Sequence, residues 1–295
     1  MNAEKEKQAI QYLKAFEPKS EPYYLCYSGG KDSDVIRILA SLAGVKHDIV
    51  NNHTTVDAPE TVRYIRSIPG VQIEMPKETM WQLIVKKGLP PTRLMRYCCT
   101  ELKERGGVGR VKITGVRKDE SAARAANSEL VKIIGKPKTV QRTANEMGVD
   151  YTINPKGGIV LNDDNDESRR FVERCYRTTS TMVNPIVDWT ESDVWEFLHH
   201  YGCEGNPLYQ CGFSRVGCIG CPLGGYKHMK KEFALYPKYK ENYIRAFDRM
   251  LAKRLEDGKT TRLSWGSGKD VFTWWVGDDP MQLTLDDYDE DWYKL

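Results

Sequence analysis

Two groups of residues in this sequence could carry chemistry: a glycine-rich turn near the N-terminus and two separate pairs of cysteines. The turn spans residues 28–34, SGGKDSD, and follows the apolar, aromatic run YYLCY. Two glycines at the end of a predicted strand allow the backbone to approach a ligand closely. The cysteine pairs are Cys98 with Cys99 and Cys218 with Cys221. Cysteine thiolates are common ligands of zinc and of iron–sulfur clusters.

The glycine turn has the residue types of a phosphate-binding site. A strand that runs through Gly29 and Gly30 into a helix brings unpaired backbone N–H groups and the positive end of the helix dipole to one rim. The turn also offers one cation, two hydroxyl donors and two carboxylates that could hold a hydrated Mg²⁺, namely Lys31, Ser28, Ser33, Asp32 and Asp34. The alternative is an ordinary tight turn with a solvated lysine and aspartate. The turn lacks the spacing of a Walker A loop, and so does GSGKDV at 266–271, which we interpret as a surface turn.

The elements around the turn alternate between strands and helices. The patterns predict a helix over 4–16, then strands over 23–28, 47–54, 71–76 and 110–116, with helices over 32–44, 58–68 and 78–88 between them. This alternation is typical of a doubly wound parallel sheet, so we expect a Rossmann-like α/β fold. Ligands bind such sheets at the carboxyl ends of the strands. The glycine turn lies at such an end.

The later part of the chain has a weaker pattern. We predict a nucleotide-binding α/β core over 1–125, a polar insertion over 126–180, completion of the core with the distal cysteines over 181–230, and a helical extension over 231–295. Thr190 is a good N-cap for a helix that has Asp193 at its third position. A long helix of mixed charge is predicted over 237–257.

The composition excludes several classes of protein. The 295 residues are 40% hydrophobic and 29% charged, and the net charge of +3 is too small to indicate nucleic-acid binding by itself. No apolar run approaches 18 residues, and the N-terminus has no signal-peptide core, so we expect a cytoplasmic protein without a membrane span. Eight cysteines in such a protein are not expected to form a disulfide framework.

Several ordered motifs carry a family resemblance. The stretch SGGKDS resembles the pyrophosphate-binding loop (PP-loop) of the adenine nucleotide α-hydrolase superfamily. More narrowly, the chain resembles the phosphoadenosine-phosphosulfate (PAPS) reductase family over about residues 22–226. The matching segments are NNHTTVDAPETVRYI (51–65), GVRKDESAARA (115–125), PIVDWTESDVWEFL (185–198) and GNPLYQCGFSRVGCIGC (205–221). The resemblance implies binding of ATP or a related adenylate and attack at the α-phosphate, with AMP and pyrophosphate as products.

The resemblance also implies roles for individual residues. Lys31 and the N–H groups of the turn would hold the β- and γ-phosphates, and arginines of the 115–125 segment would meet the α-phosphate. The catalytic residues would then be Lys31, Asp32, Arg117 and Arg124. The adenine would lie over the rim of the second strand, near Asn52, His53 and Thr54. Arg124 could instead be a solvated helix residue, and His53 a simple loop donor.

The cysteine spacing differs from that of a usual structural zinc site, which pairs two short chelating hairpins. Adjacent cysteines point in different directions, which suits a cluster contacted at separate irons. In the adenylylsulfate-reducing branch of the family, this arrangement binds a [4Fe–4S] cluster. The resemblance carries that role to Cys98, Cys99, Cys218 and Cys221. Zinc, or reduced thiols without a metal, are the alternatives.

One departure from the family bears on the reaction. Sulfonucleotide reductases use a nucleophilic cysteine near the C-terminus, whereas the last cysteine here is Cys221. We therefore expect an ATP α-hydrolase or pyrophosphatase that could also adenylate an acceptor. A phosphoadenylyl- or adenylyl-sulfate reductase is one alternative. A non-catalytic nucleotide- or redox-sensing module of a nucleic-acid-associated complex is the other.

The sequence gives weaker indications of partners. The stretches KKGLPPTRLMRYCCTELKERGG (86–107) and GYKHMKKEF (225–233) are locally basic and could contact nucleic acid. The tryptophans near the C-terminus could form a protein-partner surface, although tryptophan more often packs a helix against a core. A homodimer is also compatible with the sequence.

Overall fold

The computed structural model describes residues 3–104, 106–120, 180–259 and 265–278, together with strand segments 131–132, 151–153, 159–161 and 173–175. The chain divides into two compact units. The first unit contains Met1–His53, Asp57–Pro76 and Leu102–Gly217, and the second contains Thr54–Val56, Lys77–Glu101 and Cys218–Leu295. The second unit thus joins residues 77–101 to the C-terminal segment, whereas the sequence-based division assigned them to the nucleotide-binding core. Contacts between distant segments, which a linear division does not show, define this grouping.

The first unit is built on a mainly parallel sheet. The strands of the chain are β1 (Tyr23–Cys26), β2 (His47–Asn52), β3 (Val71–Glu74), β4 (Val111–Ile113), β5 (Val131–Lys132), β6 (Tyr151–Ile153), β7 (Ile159–Leu161), β8 (Glu173–Cys175) and β9 (Ser180–Val183). Five of them are parallel in the order β3-β2-β1-β4-β9. Strands β5 and β8 pair antiparallel with β9, and β6 pairs with β7 in a separate two-stranded sheet. The predicted α/β fold with a parallel sheet is confirmed.

The helices follow the predicted pattern closely. They are α1 (Ala3–Ala15), α2 (Lys31–Ala43), α3 (Pro59–Ser67), α4 (Met80–Lys87), α5 (Glu191–His200), α6 (Tyr226–Leu235), α7 (Pro237–Glu256) and α8 (Gly268–Trp275). Helices α1, α2 and α5 bury their apolar faces in one core with β1, whose fully buried members include Leu13, Leu25, Ile36, Leu39 and Phe197. Among the described helices, none has both the length and the apolar character needed to cross a bilayer.

The predicted cap of α5 is confirmed. The hydroxyl of Thr190 accepts a hydrogen bond from the N–H of Asp193, and the Asp193 carboxylate accepts one from the N–H of Thr190. This reciprocal pair satisfies two backbone donors that a helix start otherwise leaves unpaired. It fixes the position of Glu191, the first residue of α5.

The second unit is a helical unit with an aromatic core. Phe233 of α6, Tyr243 and Phe247 of α7, and Trp275 of α8 pack with ring centroids between 4.7 and 6.0 Å apart. The indole N–H of Trp275 donates to the carbonyl of Pro91 at 2.6 Å. Trp275 is therefore a core residue rather than part of an exposed partner surface.

The interpretation of GSGKDV (266–271) as a surface turn is wrong. Ser267 is the N-cap of α8, and its hydroxyl accepts a hydrogen bond from the N–H of Asp270. Gly268 is buried against the backbone of α7, where a side chain would collide with Ile244 and Asp248. The combination of Ser, then Asp three residues later, then an apolar run is a helix-start signal, and it decides the local structure here.

Candidate functional site

The glycine turn lies at the carboxyl end of β1 and leads directly into α2. Gly29 has a φ of 71°, and a Cβ there would lie 2.7 Å from the side chain of Ile65. Both constraints require glycine at this position. The carbonyl of Gly29 also accepts a hydrogen bond from the buried side chain of Asn206 at 3.0 Å. The turn is therefore fixed by residues of α3 and of the segment that follows α5.

The backbone N–H groups at the start of α2 have defined partners. The N–H of Gly30 donates to the hydroxyl of Ser33, which in turn donates to the Gly30 carbonyl. Ser33 is thus buried and caps the helix. Ser28 is exposed, and its hydroxyl lies 3.3 Å from that of Ser33. The N–H of Lys31 donates to the hydroxyl of Tyr209 at 2.9 Å. Burial raises the pKa of Tyr209, so this residue stays a neutral phenol.

The Lys31 side chain points into an enclosed polar site. The residue is only 6% exposed. Its ammonium nitrogen lies 3.4 Å from Glu191, 3.8 Å from Asp32 and 3.5 Å from the carbonyl of Ser214. It also lies 5.4 Å from the ring centroid of Tyr209. A lysine charge can be held in such a site because carboxylates and an aromatic face compensate for lost hydration.

Arg117 connects the turn to α5. It follows β4, the strand next to β1, and is 2% exposed. Its Nε donates to Asp32 at 2.6 Å, and its Nη2 donates to Glu191 at 2.9 Å. Nη1 lies 3.4 Å from both Asp119 and the carbonyl of Trp189. Burial alone would lower the pKa of Arg117, but Asp32 and Glu191 outweigh burial and raise it. The site therefore holds two cations among three carboxylates.

The interpretation of Asp34 as a Mg²⁺ ligand is wrong. Asp34 is fully buried, and its two carboxylate oxygens accept hydrogen bonds from Tyr27 at 2.7 Å and Tyr64 at 2.9 Å. Arg37 lies 3.7 Å away. Burial raises the pKa of Asp34, although both tyrosines and Arg37 act in the opposite direction. Asp34 faces the core side of α2, whereas Asp32 is 24% exposed at the turn.

The residues at the end of β2 have separate partners. The side-chain amide of Asn52 donates to the hydroxyl of Tyr24 at 3.0 Å. The Nδ1 of His53 lies 3.1 Å from the carboxylate of Asp57. Thr54 belongs to the second unit and is buried, and its hydroxyl accepts a hydrogen bond from the thiol of Cys218 at 3.4 Å. The predicted role of these residues around an adenine stays a prediction.

Two residues beside Lys31 were not predicted from the sequence as site residues. Glu191 lies within the matching segment PIVDWTESDVWEFL and Tyr209 within GNPLYQCG, but nothing in their local pattern distinguishes them from surface residues. Arg124, predicted to meet the α-phosphate, lies outside the described residues. Arg117 is therefore the arginine of that segment whose position is known.

All four predicted cluster cysteines lie in the second unit and are partly buried. The pKa of Cys98 is raised, first by a hydrogen bond with Cys99, then by burial and by the nearby thiols of Cys99, Cys218 and Cys221. Within the described ranges, no three His, Cys, Asp or Glu side chains form a group that could hold a single metal ion. A cubane cluster contacts each thiolate at a different iron, so its ligands need not converge on one point. Four cysteines are a donor set that such a cluster accepts.

The loop between Cys218 and Cys221 is held from several sides. The N–H of Gly220 donates to the buried carboxylate of Glu232 at 2.8 Å, and Tyr243 donates to the carbonyl of Ile219 at 2.9 Å. Gly220 has a φ of 73°, and a Cβ there would lie 2.7 Å from Phe233. The aromatic core therefore fixes the backbone between the two cysteines.

Comparison with known proteins identifies the family. Residues 22–223, more than two thirds of the chain, match the phosphoadenosine phosphosulfate reductase domain. The chain belongs to the PAPS reductase family. The match includes the glycine turn, Arg117, Glu191, Tyr209 and both cysteine pairs. The family consists of nucleotide-binding α/β proteins, which agrees with the observed sheet.

The individual relatives either have low sequence identity to this chain or match only a short part of it. An uncharacterized protein of Methanocaldococcus jannaschii is 25% identical over 256 residues, which cover 82% of this chain and 45% of the relative. The chain spans about half the length of the curated relatives that it matches over most of its own length. Adenosine 5'-phosphosulfate reductase of Allochromatium vinosum is 41% identical over 39 residues, 13% of this chain and 15% of that enzyme. The PAPS reductase of Candida auris, solved as a phosphate complex, has 15% identity and a TM-score of 0.36 over 72% of this chain and 88% of that one. A structural similarity with that TM-score supports no conclusion about ligands.

Proposed function

We propose that this protein binds ATP at the glycine turn and hydrolyses it between the α- and β-phosphates, releasing AMP and pyrophosphate. The observation that carries the proposal is the Lys31 ammonium, which is buried at the start of α2 beside a turn that only glycine can form. A helix start with a buried cation beside it is a favourable position for an anion. Because the chain belongs to a nucleotide-binding family, we take the bound anion to be a nucleoside polyphosphate.

The turn and Lys31 would bind the departing pyrophosphate. The Tyr209 hydroxyl accepts a hydrogen bond from the N–H of Lys31, so its own proton is available to a phosphate oxygen. Lys31 would exchange its contact with Glu191 for contacts with the β- and γ-phosphates. In the reaction, a water oxygen bonds to the α-phosphorus, and the bond from that phosphorus to the bridging oxygen breaks. Pyrophosphate leaves with the bond electrons, and the attacking water loses a proton to solvent.

Arg117, Asp32 and Glu191 would position the α-phosphate. Arg117 is buried and bonded to both carboxylates, so it would act by holding Asp32 and Glu191 in position and by adding positive charge behind them. Asp32 and Glu191 are the partly exposed carboxylates that would hold Mg²⁺. The ion would supply positive charge to the phosphate oxygens during displacement. The protein's contribution is to hold these groups in place before the substrate arrives.

We further propose that Cys98, Cys99, Cys218 and Cys221 hold a [4Fe–4S] cluster in the second unit. Support comes from the influence of Cys99, Cys218 and Cys221 on the pKa of Cys98, and from the fixed loop between Cys218 and Cys221. Anaerobic purification should yield protein with iron and acid-labile sulfide in equal amounts. Zinc in place of iron would contradict this assignment.

The reaction is tested with α-labelled ATP and Mg²⁺ on anaerobically purified protein. We expect labelled AMP, and we expect its release to be abolished by Lys31→Ala and unchanged by Lys7→Ala, which removes an exposed lysine of α1. A parallel assay supplies adenylyl sulfate or phosphoadenylyl sulfate with a thiol reductant. Sulfite formation without AMP from ATP would contradict the proposal and favour the reductase. Binding of ATP without turnover would favour a sensor.

A further inference from the structure

We propose that a basic groove between α4 and α7 binds single-stranded nucleic acid through its phosphates. The groove has a volume of about 610 Å³ and is lined entirely by residues of the second unit. Six cationic side chains line it: Lys86, Lys87, Arg249, Lys253, Arg254 and Lys259. The proposal does not depend on ATP hydrolysis.

The groove has a clear excess of positive charge. Among the residues that the structure describes, two carboxylates line it, Glu78 and Asp257, against six cations. They pair with Lys86, Lys253 and Lys259. Two further carboxylates outside the lining, Glu101 and Glu256, pair with Lys87 and Lys253. Even with these two included, the cations in the described part of the chain outnumber the carboxylates here by six to four.

Helix dipoles account for only part of this charge. Cations are favourable in the last turn of a helix, which explains the two lysines of α4 and the Lys253–Arg254 pair of α7. Arg249 lies earlier in α7, and Lys259 follows its end. In the part of the chain that the structure describes, Arg249 has no carboxylate within ion-pair distance, and it is exposed. Among the described residues, Arg249 is therefore a cation that neither the helix dipoles nor a nearby carboxylate accounts for.

A hydrogen bond links the two helices that form the groove. The Arg254 guanidinium donates to the carbonyl of Gly88 at 2.6 Å, just after the last residue of α4. This bond ties the ends of the two helices together. Arg249 and Lys253 lie one turn apart on α7 and so share a face. Their charges are presented along the groove rather than at a single point, which suits a chain of phosphates better than one phosphate.

An aromatic side chain indicates which polyanion fits. Trp81 lines the groove, is partly exposed, and packs edge-to-face on Tyr243 with ring centroids 4.9 Å apart. A fixed indole flanked by cations can stack a base while the cations bind the flanking phosphates. Bases of a single strand are accessible for such stacking, whereas those of a duplex are not. Single-stranded nucleic acid therefore fits the groove better than a duplex.

The test measures binding of a fluorescently labelled oligothymidylate by anisotropy over a range of salt concentrations. The double variant Arg249→Ala/Lys253→Ala should bind about 10- to 100-fold more weakly at low salt and show a salt slope smaller by about 1.4, since each single-strand phosphate contact contributes about 0.7. The control is Lys7→Ala/Lys14→Ala on α1, which removes the same charge elsewhere. Both positions of the groove variant are exposed, and a thermal melt checks that it is folded.

Other outcomes would overturn the proposal. Equal weakening by the control variant would show a response to net charge alone. Tighter binding of a duplex of the same sequence, or equal competition by polyglutamate, would exclude single-strand recognition. No binding to wild-type protein would exclude the site altogether. Lys31→Ala should leave oligonucleotide binding unchanged, so a failure of the ATP proposal would be seen separately.

Discussion

Replacing Arg117 should weaken both the fold of the first unit and its affinity for ATP. The buried guanidinium bonds Asp32 of α2 and Glu191 of α5, which are 24% and 52% exposed. A hydrogen bond to a charged group contributes about 1.5–3 kcal/mol, and we assign that range to the Asp32 contact. The Glu191 contact is screened by solvent and adds about 0–1 kcal/mol. We therefore expect Arg117→Ala to lower the free energy of unfolding by about 1.5–4 kcal/mol.

The assay is urea denaturation of wild type, Arg117→Ala and Arg117→Lys, with calorimetric ATP titration of each. Arg117→Lys keeps the charge but cannot make both bonds in the same geometry, so its loss should be intermediate. A double-mutant cycle with Asp32→Asn should give a coupling free energy of about 1–2 kcal/mol. A loss of less than about 1 kcal/mol in Arg117→Ala, or wild-type values for Arg117→Lys in both measurements, would show that these contacts do not stabilise the site.

Three further predictions concern neighbouring residues. Gly29→Ala should lower the unfolding free energy by at least about 1–2 kcal/mol, because the φ of 71° is unfavourable for alanine and its Cβ would collide with Ile65. An unchanged midpoint of urea denaturation would contradict this prediction. Burial raises the folded-state pKa of Asp34, so the free energy of unfolding of wild type should fall as pH rises from about 4 through that pKa. Asp34→Asn should remove this pH dependence. Parallel plots of unfolding free energy against pH for the two proteins would contradict this prediction. Glu232→Ala should reduce bound iron per chain while Glu232→Gln retains most of it, because the Glu232 carboxylate accepts a hydrogen bond from the Gly220 N–H. Equal iron content in both variants would exclude this role.

Local patterns in the sequence were sufficient to predict the fold class and the first four strands. Alternating apolar runs and turn residues predicted β1 to β4, the parallel sheet and the position of the glycine turn at the end of β1, but not the strands β5 to β9. The cap of α5 was also predictable, because Thr190 and Asp193 are three residues apart and interact directly. Signals of this kind act over one or two helical turns.

The partners of the site residues were not predictable from local patterns. Tyr209 and Glu191 meet Lys31 only because the chain returns to it more than 150 residues later. Asp34 has the residue type of a metal ligand, but its position on α2 turns it toward two buried tyrosines. Residue type alone does not show which side of a helix faces the core. Such assignments need the packed structure.

The most direct test of the central claim is calorimetric titration of the intact protein with ATP and Mg²⁺, compared with Lys31→Ala. We expect saturable heat with wild type and an affinity about 10- to 100-fold lower in the variant, because the variant loses charge-assisted contacts of about 1.5–3 kcal/mol. Absence of binding heat with folded wild-type protein, or equal affinity of the two proteins, would contradict it.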